Sequence, residues 1–351
     1  MPREMSDPMI ISVRERELLA RLAWIIALSA GSGAAYGAAV TSGTVLVGVL
    51  TGVLTGATIG AACGGFEIFY VSRRRGEGFR RLPFAVHLAL RTGFYAAVIV
   101  GGIWVWAAAI FDAPTRWRVG DREFLLSIGF AFAVALAFNF VLSTQRMMGR
   151  GVMASYLSGR YYQPREEERI FMFLDIVGST EIAERIGHLR FHKLLNRFCF
   201  DISEPIAATR GEIHKYVGDG IIITWPMQRG VQDANCVRCY FDLKDTLESA
   251  SDGYLREFGV APKFRVGLHA GTVVTGELGD SKQEIAFLGD TVNTAARIEE
   301  LCRDRNQDVL VSHDLLSRLE MPPQYLAESL GTATLRGKTE PVELFTLTRA
   351  D

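Results

Sequence analysis

The sequence predicts two unlike parts. The first is an all-α membrane unit of four transmembrane helices. The second is an α+β unit of ferredoxin-like type, a mixed sheet with flanking helices. Three observations predict this. Hydrophobic residues make up 49% of the 351 and charged residues 22%, which excludes a disordered chain. Charge is unevenly divided: residues 1–144 hold 13 Lys+Arg against 9 Asp+Glu, a net of +4, and the rest hold 25 against 30, a net of -5. Long uncharged runs fill the first part, whereas short apolar segments alternate with amphipathic ones after Arg169.

Between Arg21 and Glu67 no Asp, Glu, Lys, Arg or His occurs over 45 residues. One helix of that length would measure about 67 Å against a bilayer core of about 30 Å. The run therefore reads as two spans, about 22–40 and 44–70, with a turn at Thr41-Ser42-Gly43. Uncharged runs at Thr92–Phe111 and Phe124–Gln145 predict two more, about 89–111 and 124–144. No ionisable residue falls mid-span, which leaves a channel or transporter without a pathway residue. Arginines crowd the loop after span two (Arg73, Arg74, Arg75, Arg80, Arg81) and the segment after span four (Arg146, Arg150, Arg160, Arg165). The positive-inside rule puts both regions, and hence both termini, in the cytoplasm. The expected location is a bacterial inner membrane, crossed several times. Gly48, Gly52, Gly56, Gly60 and Gly64 recur every fourth residue in span two. Such a face suits packing within one bundle or pairing of two chains.

Residues 146–167 read as a connector, broken by Gly159, Pro164 and the acidic run Glu166-Glu167-Glu168. The α+β unit then spans 168–351. Ile170–Leu174 is a short strand ending at Asp175. Ser179 and Thr180 open a helix reaching about Ala208. Glu212–Val217 and Ile221–Trp225 flank Gly218-Asp219-Gly220, a hairpin signal. A helix follows to about Phe258. Lys263–Ala270 and Thr272–Glu277 read as a second hairpin, and Thr291–Arg303 as a helix. Five cysteines exclude a disulfide scaffold. Cys236 and Cys239, inside a helix with no second pair, read as buried thiols. The net charge of -1 gives no sign of a nucleic-acid partner.

Asp175 at a strand end and Asp219 at a hairpin tip both have glycine beside them. Carboxylates so placed can hold Mg²⁺ that also grips phosphates. The amides of Ile176, Val177, Gly178, Ser179 and Thr180, at a helix start, suit a polyphosphate.

Three blocks carry a resemblance: Phe173-Leu174-Asp175-Ile176-Val177-Gly178-Ser179-Thr180, then Lys215-Tyr216-Val217-Gly218-Asp219, then Gly289-Asp290-Thr291-Val292-Asn293-Thr294-Ala295-Ala296-Arg297. In order and spacing they resemble the class III adenylate/guanylate cyclase catalytic domain, over roughly Glu168–Leu347. The resemblance implies that Asp175 and Asp219, with Ile176 beside them, hold two Mg²⁺ (or Mn²⁺) per site. It implies that Asn293 orients the ribose and Arg297 stabilises charge on the α-phosphate; four residues apart, they share a helix face. Lys215 matches the lysine that reads the purine. Arg336 and Lys338 match basic positions that meet the terminal phosphates. The second base-reading position is Ala286, which has no hydrogen-bonding side chain. The implied reaction is ATP to 3′,5′-cyclic AMP and pyrophosphate at sites shared across a homodimer, formed by the catalytic domain and possibly also by the spans, in a protein resting in membrane lipid. A guanylate cyclase and a catalytically silent membrane signalling module are the alternatives.

Overall fold

Glycine sets how the first helices meet. Helices α1 (Val13–Val40) and α2 (Val45–Gly65) approach so closely that a Cβ on Gly33 or Gly37 would strike the backbone of Gly52 or Gly48. Gly52, Gly56, Gly60 and Gly64 of α2 face α1 in the same way. The four-residue stripe thus packs within the chain, as small residues allow in helix pairs. The computed structural model describes residues 13–40, 44–71, 84–111, a few helical positions between 122 and 137, then 159–280, 283–338 and 340–350. The chain divides into two units, Met1–Met147 and Met148–Asp351.

Helix α2 continues as a π-helical turn, Phe66–Val71, and helix α3 covers Phe84–Phe111. Trp106 Nε1 donates to Thr58 Oγ1 at 2.9 Å, tying α3 to α2. Glu67, near the end of its helix, is buried. It pairs with Arg91 and accepts a hydrogen bond from Tyr95 Oη at 3.0 Å. Opposite charges thus meet near the helix ends, where a lone charge would be expensive in an apolar setting. Trp24, Leu46 and Trp104 are 58–70% exposed. Two helices, Leu18–Ala39 and Val45–Ile68, are long and apolar enough to cross a membrane; the apolar stretch Gly93–Trp106 is shorter. The expected span 124–144 and the arginines at 73–81 and 146–150 lie wholly or mostly outside the described residues.

The second unit begins with β1 (Arg165–Ile176) and continues through α4 (Ser179–Ile186), α5 (His188–Ala208), β2 (Glu212–Val217), β3 (Gly220–Pro226), α6 (Met227–Val231), α7 (Asn235–Phe258), β4 (Phe264–Leu278), β5 (Glu284–Leu288), α8 (Asp290–Asp304), β6 (Val309–Ser312), α9 (His313–Leu316), β7 (Tyr325–Ala333) and β8 (Val342–Arg349). One sheet runs β2-β3-β1-β4-β6-β8-β7, with β5 paired to the far part of β4. β4 and β6 are parallel and the other pairs antiparallel, so the sheet is mixed.

Strand alternation sorts the core into two layers. Ile170, Met172, Leu174 and Ile176 of β1 face Leu194, Phe198 and Ile202 of α5 and Val237, Tyr240 and Tyr254 of α7. Phe171 and Phe173 face the other way, toward Val273, Phe287 and Ala295. Each such side chain, fully buried, contributes about 1.5–3 kcal/mol.

Three boundaries differ from the sequence reading. β1 starts at Arg165, not Ile170, and takes the acidic run into the sheet. There Glu167 accepts from Thr275 Oγ1 at 2.7 Å and pairs with Arg169 at 3.0 Å, so charge that signalled a linker is neutralised locally. The expected hairpin at Gly271 is one straight strand. Gly271 is there because a Cβ would meet Thr291 of α8 at 2.6 Å, and Thr291 Oγ1 donates to the Thr272 carbonyl at 2.7 Å. The expected helix from Ser179 to Ala208 breaks at Gly187, whose φ is 84°.

Helix α8 lies on the second face because Gly267 admits it: a Cβ there would come within 2.7 Å of the Ala295 carbonyl and the Glu299 backbone. Gly267→Ala should therefore cost about 1–3 kcal/mol by overpacking. Thermal unfolding of the variant should show a midpoint several degrees lower. An unchanged midpoint would mean α8 is free to retreat.

Candidate active site

β1 lies between β3 and β4, paired to both. Its last residues therefore sit beside the first residues of β3, where Leu174 pairs with Ile221. The β2–β3 turn is made possible by Gly218 at φ 65°. That turn brings Asp219 against Asp175. Burial first, then the Asp219 carboxylate, pushes the Asp175 pKa up to about 6, against a donated hydrogen bond from the Ile176 amide and the charge of Arg265. Two carboxylates so close suit a divalent cation, whose charge would replace their mutual repulsion. Among the described residues no three His, Cys, Asp or Glu gather as a metal set, so other ligands would have to come from backbone, water or a bound phosphate.

The loop after β1 is shorter as a phosphate cradle than its sequence suggested. The Ile176 amide is turned to Asp175, and the Val177 amide donates to the Lys263 carbonyl at 2.9 Å. These two are committed to the fold. Gly178, at φ 66°, caps α4, leaving the amides of Ser179 and Thr180 in the first helical turn, where intrahelical partners are lacking.

Asn293 and Arg297 project from the same side of α8, away from its buried Thr294, Ala295 and Ile298. Asn293 is exposed. The Arg297 Nη1 atom is buried without a hydrogen-bond partner. No ion pair joins it to Glu299 or Glu300 among the described residues. For Glu299, burial first and then the charge of Asp175 raise the pKa to about 7, against the charge of Arg265. A buried guanidinium nitrogen left open costs free energy unless an anion meets it. Above Arg297 lies the turn containing Gly337, at φ 77°, whose Cβ would touch Arg297 at 3.4 Å. Lys338, from that turn, reaches Asp290 at 3.0 Å. Burial alone would raise the Asp290 pKa, but Lys338 more than offsets this and holds it low. Arg336 is exposed on the same turn.

Lys215, on β2, places its Nζ 3.2 and 3.4 Å from the two carboxylate oxygens of Glu284 on β5. The sequence reading did not single out Glu284; only its spacing of two residues from Ala286 could have drawn attention to it. His214 packs on Phe287 with ring centres 4.6 Å apart, and burial lowers its pKa to about 4. His269 bonds Ser312 at 2.7 Å. Both are structural. Cys236 and Cys239 are free, buried thiols, pushed up to about 12 by burial.

A family model described as the adenylate and guanylate cyclase catalytic domain matches residues 161–349. The chain belongs to this family. It is similar to adenylate cyclase 2 of Rhizobium meliloti, 42% identical over 62% of this chain and 60% of that protein. It is also similar to the adenylate cyclase of Anabaena cylindrica, 26% identical over 50% of this chain and 35% of that one. The matched segment thus spans less than two thirds of these relatives. Among solved structures, a bacterial light-regulated adenylyl cyclase superposes with a TM-score of 0.56 at 20% identity, over 65% of this chain and 67% of that one. That likeness bears on the fold of the family, including its mixed sheet and flanking helices.

The carboxylate pair has a consequence for stability. A folded-state pKa of about 6 for Asp175, against 3.8 for the free group, means that the folded state binds this proton more tightly. Stability of the metal-free protein then falls as pH rises from about 4 through 6. Asp219→Asn should relieve part of this penalty. Its metal-free melting temperature should exceed the parent's at pH 7.5 and converge with it near pH 4. Added Mn²⁺ should raise the parent more than the variant. Parallel melting curves across that range would argue against a coupled pair.

Proposed function

We propose that this chain is a membrane-anchored adenylate cyclase that converts ATP to 3′,5′-cyclic AMP and pyrophosphate. The observation that carries this reading is the pairing of Asp175 with Asp219 beside the open amides at the start of α4. Divalent cations held by these two carboxylates, with Ile176 at hand, would activate the ribose 3′-hydroxyl and neutralise phosphate charge. The 3′-hydroxyl gives its proton to solvent water, its oxygen attacks the α-phosphorus, the bond from that phosphorus to the oxygen bridging the β-phosphate breaks, and pyrophosphate leaves. Arg297 offers its open nitrogen to charge growing on the α-phosphate, the kind of interaction that usually contributes most to catalysis. Asn293, one helical turn away, orients the ribose. Gly178, Ser179 and Thr180, with Arg336 and Lys338, receive the remaining phosphates. Lys338 must then exchange Asp290 for phosphate.

A homodimer supports this chemistry best. Tyr216, Val217, Leu278 and Leu288 are large, apolar and more than half exposed on β2 and on the β4–β5 arm, as a surface awaiting a partner would be. Two copies related by a twofold axis would build two equivalent sites, with the aspartates from one and Arg297 from the other. The outward apolar side chains of α1–α3 support a lipid environment. We place the catalytic unit in the cytoplasm of a bacterium with four spans in the inner membrane, on the strength of the arginine pattern.

Full-length protein with Mn²⁺ and ATP should yield cyclic AMP, and Asp219→Ala should abolish it. Absence of product from well-folded parent would favour a silent signalling module. Asp175→Ala and Arg297→Ala chains, each inactive, should recover about a quarter of parental activity when mixed, since half the dimers are mixed and each has one intact site of two. A verified mixed dimer without activity would rule out shared sites.

A further inference from the structure

Resting on the ATP reading above, we infer that Glu284 is the second base-reading side chain of this site. It supplies from a neighbouring position on β5 the hydrogen-bonding group that Ala286 lacks, and with Lys215 it forms one donor–acceptor unit that discriminates between purines.

The pair joins residues 69 positions apart in the chain. Lys215 is 48% exposed and Glu284 42%. An ion pair so open to water adds little to stability, so holding the fold together does not account for it. What fixes it in place is packing behind it. Phe287, three residues on from Glu284, meets Phe171 at 5.4 Å and His214 at 4.6 Å, and the buried Arg169 guanidinium lies over its ring at 4.6 Å. Arg169 is itself held by Glu167 and Glu212, each at 3.0 Å. β5 is therefore pinned over the sheet by an aromatic and ionic platform, independently of the exposed pair. His214, neutral at physiological pH, adds no charge there.

Glu284 and Ala286 are two apart on one strand and so share a face. β5 continues the register of β4, with Leu278 opposite Glu284 and Gly276 opposite Ala286. Gly276 adds no side chain across the strand from Ala286. A glutamate one step along can thus serve the place where a shorter side chain would otherwise stand.

The chemistry is a matter of order. Adenine presents an amino donor at position 6 beside an acceptor at ring position 1. Guanine presents an acceptor at position 6 beside a ring N–H donor. A lysine ammonium only donates and a glutamate carboxylate only accepts. A Lys–Glu pair held in one order matches one purine and opposes the other with like-facing groups. Mismatched polar groups in a binding site are a strong source of rejection. The ATP reading makes adenine the accepted base, with Lys215 at its ring nitrogen and Glu284 at its amino group.

The test compares kcat/KM for ATP and GTP, each with Mn²⁺, in the full-length chain. Glu284→Ala should lower the ATP:GTP ratio by roughly tenfold or more, with an unchanged melting temperature. Adding Ala286→Asp to that variant should restore much of the ratio, which a merely structural role for Glu284 would not allow. A ratio that moves less than about twofold, an equal loss with both nucleotides, or a double variant that stays unselective would overturn the inference while leaving cyclase activity intact as a reading. Failure of the parent to turn over either nucleotide would instead remove both.

Discussion

Two like charges pressed together at the end of the central strand are the constraint from which the site follows. β1 is hydrogen-bonded on both edges and buried on both faces. It cannot shift to relieve a clash at its tip. The β2–β3 hairpin is bound to it through β3, so Asp219 cannot shift far either. Burial first, and the retained repulsion from Asp219 second, push the Asp175 pKa up to about 6. The sheet supplies the rigidity that holds the two carboxylates together, an arrangement suited to a divalent cation.

The same logic governs the opposite charge. Helix α8 is drawn onto the sheet by two glycines, Gly267 and Gly271, that leave no Cβ between strand and helix. That approach fixes the turn carrying Arg297, whose Nη1 is left buried and unbonded. Glu299, two residues on and off that helix face, feels the charges of Asp175 and Arg265. Lys338 is occupied by Asp290, but that pair is solvent-accessible and easily exchanged. Strong, unsatisfied charges are thus buried and fixed, and weak, replaceable pairs are at the rim.

Most of this was legible in the sequence where a residue's chemistry and its place coincide. Asp175 closes an apolar run, Asp219 sits between glycines, and Asn293 and Arg297 are one turn apart; local pattern was enough. The misses arise where distant partners decide. Glu166–Glu168 look like a solvated break until Thr275, Arg169 and Arg318 are brought beside them. Gly271 looks like a turn until Thr291 needs the room. Ile176 and Val177 look like free amide donors until Asp175 and Lys263 take them. Glu284 has no local signature beyond its two-residue spacing from Ala286, because its partner Lys215 lies 69 residues away and meets it only in the folded sheet.

The two units solve close packing by the same means and to different ends. In the first, glycines let α1 and α2 touch backbone to backbone, an approach that small residues permit in helix pairs. In the second, glycines let a helix touch a sheet. The first use exhausts the stripe: a glycine face already filled by α1 has nothing left for a second chain. Any pairing of two copies must then draw on other surfaces. The second unit has them, in the exposed Tyr216, Val217, Leu278 and Leu288. Under the proposed reading it also has the stronger reason to pair, since Arg297 and the Asp175–Asp219 pair would each be half of a site. Under the proposed reading, the demand for a twofold partner therefore arises in the second unit.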